Sequence, residues 1–134
     1  MKKLLLILTL ALFAGFAAKA QDDDNDKIRD KMREFIQKRL NLSKNEAERF
    51  TPVFIRYFRE WRQTIRENKD DILERQKRIV DLRIRYRTEF REIVGEKKSN
   101  EVFKKQDEFV RIIREQALDR RENRPGRNRS LLME

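Results

Sequence analysis

Apolar residues recur every three or four positions through four stretches of this chain, with charged residues filling the positions between them. That spacing is the signature of amphipathic helices. Ile28, Met32, Phe35 and Ile36 predict a helix from about Asn25 to Leu40. Ala47, Phe50, Val53, Phe54, Tyr57, Phe58, Trp61 and Ile65 lie on one side of a second, from Lys44 to about Asn68. Five of those eight are aromatic, and burying them contributes on the order of 2 kcal/mol each before entropy is counted. A third helix, from about Asp71 to Val94, carries two apolar tracks. Ile72, Ile79, Leu82, Tyr86, Phe90 and Ile93 form a broad seam, and Leu73, Val80 and Ile84 form a narrower one displaced around the wheel. Two seams imply two neighbours, the second of which could be another subunit. Val102, Phe103, Phe109, Val110, Ile113 and Ala117 share a face of a fourth helix, from about Asn100 to Arg121.

Local punctuation sets the ends. Ser43 and Glu46 are spaced as a capping box, with Leu42 and Ala47 at the staple positions. Thr51-Pro52 repeats the chemistry of a helix start, so a restart or kink is expected there. Asp70 or Asp71 can cap the third helix. Gly95 can end it in a left-handed cap, and Ser99 can cap the fourth. From Glu122 the periodicity stops. Residues 122–134 read as a disordered basic tail that finishes on the apolar Leu131, Leu132 and Met133, a possible weak docking peptide.

Residues 1–20 have the plan of an export signal. Lys2 and Lys3 precede the apolar run from Leu4 to Phe16, and Ala18-Lys19-Ala20 is a small-x-small cleavage site. The expected mature chain is one helical domain, 21–121, plus the tail, and its location is the periplasm. The full sequence holds 34 basic and 24 acidic residues, a net charge of +10; loss of Lys2, Lys3 and Lys19 with the leader lowers this to +7. A basic exported protein meets acidic or unfolded polypeptides, or anionic membrane surfaces. Only three glycines and two prolines among 43% charged residues favour long helices over strands. The expected architecture is all-α: a four-helix, hairpin-like subunit.

Much chemistry is missing from the side chains. With no histidine and no cysteine there is no triad of the Ser-His-Asp or Cys-His kind, no disulfide and no set of the usual zinc or copper ligands. The acidic lead-in Asp22 to Asp26 resembles a calcium loop only at its start, because Lys27 stands where the loop needs Gly and Arg33 where it needs Glu. It reads instead as an acidic cap on the first helix. No Gly-rich phosphate loop is present. Asp70 and Asp71 point in different directions on a helix and make no acid/base dyad. An enzyme is not expected, nor is a cofactor.

The stretch Leu42-Ser43-Lys44-Asn45-Glu46 resembles the Leu-Thr-x-x-Gln motif of the Spy/CpxP family of small periplasmic helical proteins, with Ser for Thr and Glu for Gln. Its continuation, Glu46-Ala47-Glu48-Arg49-Phe50-Thr51-Pro52-Val53, is similar to a branch described as sensors of extracytoplasmic-function sigma factors or of heavy metals. Leu42, Ser43, Glu46, Phe50 and Pro52 carry the likeness, which covers roughly residues 26–120. It implies a dimeric, cradle-shaped four-helix subunit that holds unfolding proteins without ATP on a concave face mixing basic and apolar side chains. A sensor of metals is hard to reconcile with a chain that has neither His nor Cys.

The function expected is therefore a periplasmic, chaperone-like stress protein whose partners are unfolded or misfolded proteins and a second copy of itself. The alternative is a regulatory partner of a membrane stress sensor, displaced when misfolded clients compete for the same basic surface. Candidate client-binding residues are Phe58 and Trp61 of the second helix and Arg83, Ile84, Arg85, Arg87 and Arg91 of the third. Residue by residue, the arginines read more readily as a solvated face with i,i+4 partners. Nucleic acid is not expected as a partner, because acidic residues are interleaved with the basic ones throughout.

Overall fold

The structure is a computed structural model that describes residues 24–124; the expected export signal at residues 1–20 and the expected tail beyond Arg124 lie outside the described residues. Among the described residues there are four helices and no strand: α1 (24–39), α2 (Lys44–Glu67), α3 (Ile72–Val94) and α4 (Glu96–Glu122). None of them is long and apolar enough to cross a membrane.

The turn between α1 and α2 is built by its sequence. Asn41 takes a positive φ of 50°. The Leu42 amide then donates to the Gln37 carbonyl and the Asn41 amide to Lys38, both at 3.1 Å. That pair of bonds is a Schellman ending, which satisfies carbonyls the helix leaves orphaned. It turns Leu42 inward against the core. Ser43 follows as the N-cap. Its hydroxyl accepts from the Glu46 amide at 3.1 Å, and the Glu46 carboxylate accepts from the Ser43 amide at 3.0 Å. The capping box is complete. Donation from the Ser43 amide, helped by its hydroxyl and by Lys98 at 3.7 Å, holds the Glu46 carboxyl below its usual range.

Two expected helix starts are corrected. Pro52 neither restarts nor ends α2, which continues from Lys44 to Glu67 with the proline inside it. Thr51 does not cap a new helix; its hydroxyl donates back to the Ala47 carbonyl at 2.8 Å. Pro52 itself is exposed, so its ring meets solvent, while the buried Phe50, Val53 and Phe54 around it anchor the helix on both sides. Ser99 does not cap α4. That helix begins at Glu96, and Ser99 is buried in its first turn, donating to the Glu96 carbonyl at 2.7 Å. Gly95 alone separates α3 from α4. Its φ of 87° with ψ of 171° lies in a region essentially reserved for glycine. Asp71, rather than Asp70, caps α3, accepting from the Glu74 amide at 3.0 Å.

The core fills the end of the molecule where the α1–α2 turn and Gly95 lie. Met32, Ile36 and Leu40 of α1 meet Phe50, Val53, Phe54, Tyr57 and Phe58 of α2, Leu82, Tyr86, Phe90 and Val94 of α3, and Val102 and Phe109 of α4. Aromatic rings dominate it. Phe50 stacks on Phe90 at 5.0 Å, Phe35 meets Phe109 at 5.5 Å, and Tyr57 meets Tyr86, Phe90 and Phe103 edge-on. Offset and edge-on contacts suit the ring quadrupoles.

The hairpin of α3 and α4 outruns this core. No residue of α3 before Leu82 and none of α4 after Phe109 is buried. Ile72, placed by its spacing in the broad seam, is therefore exposed, as are Ile113 and Ala117 of the fourth-helix face. Periodicity identifies which face is apolar, but the number of turns that find a partner depends on how far the neighbouring helices extend.

Candidate functional site

The sequence singles out twelve residues, and the structure divides them into three groups. Leu42, Ser43, Glu46, Phe50 and Pro52 belong to the helix start and core just described. Their spacing is explained by turn geometry and packing.

The second group is internal. Phe58 is almost wholly buried, and Trp61 packs on it at a centroid distance of 5.7 Å as a partly covered edge of the core. Phe58 therefore offers no ring to a partner. Arg83 is taken up by its own fold. Its guanidinium grips Asp107 of α4 through two bonds, at 2.7 and 3.2 Å. It also donates to Gln106 Oε1 at 2.9 Å and to the Tyr57 hydroxyl at 3.2 Å, and it lies 5.4 Å from the Phe103 ring centroid. The Tyr57 hydroxyl donates in turn to Gln106 Oε1. One guanidinium thus ties α2, α3 and α4 together. Burial pushes the Tyr57 phenol up to about 12, although the Arg83 charge acts against that rise. Burial likewise pushes Tyr86 up to about 12, reinforced by the nearby Glu60 carboxylate.

The third group faces outward. Ile84, Arg87 and Arg91 stand one above another on α3 at four- and three-residue steps, and the same side continues through Val80 and Lys77 to Leu73. Leu73 is 78% exposed, Val80 53% and Ile84 51%. Lys77 is held by Asp81 at 3.5 Å. Arg87 and Arg91 make no ion pair among the described residues. The Arg87 Nε is buried and has no hydrogen-bond partner. Beside them Val80, Ile84 and Arg87 join Asn100 and Phe103 of α4 around a shallow groove of about 160 Å³. Arg85 points to a different side of α3 and is not part of this face.

The polar clasp around Arg83 is absent from the expectations above, yet Gln106 marks it. It falls at a core position of the fourth helix, four residues after Val102 and three before Phe109. A polar residue at such a position needs a buried partner. Also unanticipated is a second cleft, between α1 and α2, lined by Arg29, Arg59, Arg62 and Arg66. Its signal was the i, i+3, i+7 spacing of the last three.

Among the described residues, no group of three or more acidic side chains is placed to hold a metal ion. No family model, curated protein or solved structure matches the chain. The fold itself defines an all-α helical protein, and the chemistry of its surfaces carries the rest.

Proposed function

We propose that this chain is a periplasmic, ATP-independent, chaperone-like protein that holds unfolded polypeptides on the outer face of α3. The observation that carries this reading is the stripe Leu73, Val80 and Ile84, left exposed and interleaved with Lys77, Arg87 and Arg91. Apolar side chains in a row offer weak, sequence-tolerant contact to an unfolded chain. The basic groups beside them draw in acidic segments and speed encounter. The resemblance to the Spy/CpxP motif, and the export signal expected at residues 1–20, support the same reading. The apolar residues left uncovered where α3 and α4 outrun the core favour a second copy of the chain as a further partner.

The test is suppression of aggregation of a chemically unfolded client, without ATP, by protein lacking residues 1–20. Suppression is expected near equimolar ratios, weakened by salt, and strongly reduced by Val80→Asp with Ile84→Asp. No suppression across several clients would overturn the reading.

A second reading rests on the same two uncommitted guanidiniums. Arg87 and Arg91 would also fit one defined acidic sensor domain in the envelope, in which case pull-down returns a single membrane partner at fixed stoichiometry and general clients bind poorly.

A further inference from the structure

A separate basic site lies between α1 and α2. Asn25, Asp26 and Arg29 of α1 face Ile55, Phe58, Arg59, Arg62 and Arg66 of α2 across a cleft of about 360 Å³. Arg59, Arg62 and Arg66 stand on one side of α2, so three like charges share a concave surface. Such an array repels itself unless something compensates it. The structure supplies little compensation. Asp26 is engaged by Arg29 at 3.0 Å, and Asp30 holds the same arginine at 3.2 Å. No carboxylate among the described residues pairs with Arg59, Arg62 or Arg66.

Arg62 is the organised member. Its terminal nitrogen donates to the Asn25 Oδ1 at 2.7 Å. A neutral amide oxygen orients the guanidinium without cancelling its charge. The Nε of the same side chain is buried and has no hydrogen-bond partner. A buried donor left unmade costs free energy, and the terminal nitrogens of the same guanidinium are the groups left to meet an anion in the cleft.

We infer that this cleft binds a phosphate-bearing anion. A guanidinium presents two parallel donors that match phosphate oxygens. Three arginines lining one concavity offer more donors than one carboxylate can accept, and fit a tetrahedral group with more oxygens to share. The volume exceeds that of a bare phosphate ion, so the rest of a phosphomonoester or a second phosphate has room. The site is distinct from the α3 stripe, since α1 and α2 supply all of its residues. Its test is therefore independent of the chaperone reading.

The experiment is calorimetric titration of the full chain with inorganic pyrophosphate, at fixed near-physiological ionic strength. Saturable one-to-one binding is expected. Arg59→Gln with Arg66→Gln removes two exposed rim charges, leaves the Arg62–Asn25 bond in place and should weaken binding about tenfold or more. Arg62→Lys keeps the charge but loses the fork, and should weaken it severalfold. Arg49→Gln with Arg114→Gln removes the same net charge elsewhere and should leave affinity within about twofold. A second arm separates free from lipid phosphate. Sedimentation with phosphatidic acid–phosphatidylcholine vesicles, but not with phosphatidylcholine alone, and dependent on Arg59 and Arg66, assigns the phosphate to a lipid headgroup. Pyrophosphate binding without vesicle binding assigns it to a soluble ligand. Absence of saturable binding, or equal losses in the rim and control pairs, would overturn the site.

Discussion

Arg83 of α3 and Asp107 of α4 face each other twelve residues either side of Gly95 and meet in a two-pronged ion pair at 2.7 and 3.2 Å. Their equal distance from the one-residue turn fixes the register of the hairpin. The arginine is the better covered partner, with 21% side-chain exposure against 64% for the aspartate. Asp107→Asn should therefore cost little, about 0.5–1 kcal/mol. Arg83→Ala also strips donors from Tyr57 and the buried Gln106, and should cost about 2–3 kcal/mol. Arg83→Lys should recover only part of that. Urea midpoints at constant slope measure all three, and equal costs for the two alanine-type and amide changes would contradict the clasp.

Gly95 controls the same hairpin from its apex. A Cβ there would meet no atom within 4 Å, so steric space is not the constraint. Its positive φ is. Gly95→Ala should destabilise by about 1–3 kcal/mol through backbone strain alone, and Gly95→Asn should not restore it, because ψ of 171° is far from the left-handed helical region Asn tolerates. Thermal unfolding at a single protein concentration reads the difference.

At the neighbouring turn, Ser43→Ala removes a true cap and should cost about 1 kcal/mol. Glu46→Gln keeps an acceptor for the Ser43 amide while losing the charge that Lys98 faces, and should cost less. A larger loss from Glu46→Gln than from Ser43→Ala would show the Lys98 contact to matter more than the cap.

Alkaline pH should unfold this protein by a specific route. Tyr57 titrates at 10.0 when free and is raised to about 12 in the fold. The folded state thus holds the proton more tightly than the unfolded one. The stability this represents is fully present below pH 10 and is lost as pH rises from 10 to about 12. The loss is on the order of 2–3 kcal/mol for the buried Tyr57. Tyr86 shifts in the same direction and adds to it. Stability curves between pH 8 and 12, with tyrosinate absorbance followed alongside, should show both phenols ionising late and together with unfolding.

The two kinds of apolar residue should separate cleanly. Phe90 and Phe50 are fully buried and stacked, so truncating either to Ala should cost about 3–5 kcal/mol. Val80→Asp with Ile84→Asp changes exposed positions and should alter stability by no more than about 1 kcal/mol. Client suppression should show the reverse ranking once the core variants are assayed below their melting temperatures.

Four helices, their faces and most of their ends were legible along the chain, because 3.6-residue periodicity, a capping box and a lone glycine act locally. The restart that Thr51-Pro52 offers is not taken, since the ring-rich stripe on either side of it buries enough surface to carry the helix through. Ser99 misled for a similar reason: a one-residue turn at Gly95 starts α4 earlier and folds Ser99 inside. The arginines of α3 could not be told apart by composition. Arg83 is committed to Asp107 and Gln106, while the half-buried Arg87 and the exposed Arg91 make no ion pair among the described residues, and that division depends on which helix lies beside each.

By itself, then, the sequence determined the all-α class, the four segments and the apolar side of each, because those follow from backbone hydrogen bonding and the spacing of side chains on one helix. The tertiary structure decided where the core stops, which cations are neutralised and which are left without an ion pair among the described residues. Those outcomes rest on distances between residues far apart in the chain: the buried face of α3 begins only at Leu82, its other face leaves Leu73, Val80 and Ile84 exposed, and Asn25, Asp26 and Arg29 of α1 lie across a cleft from Arg59, Arg62 and Arg66.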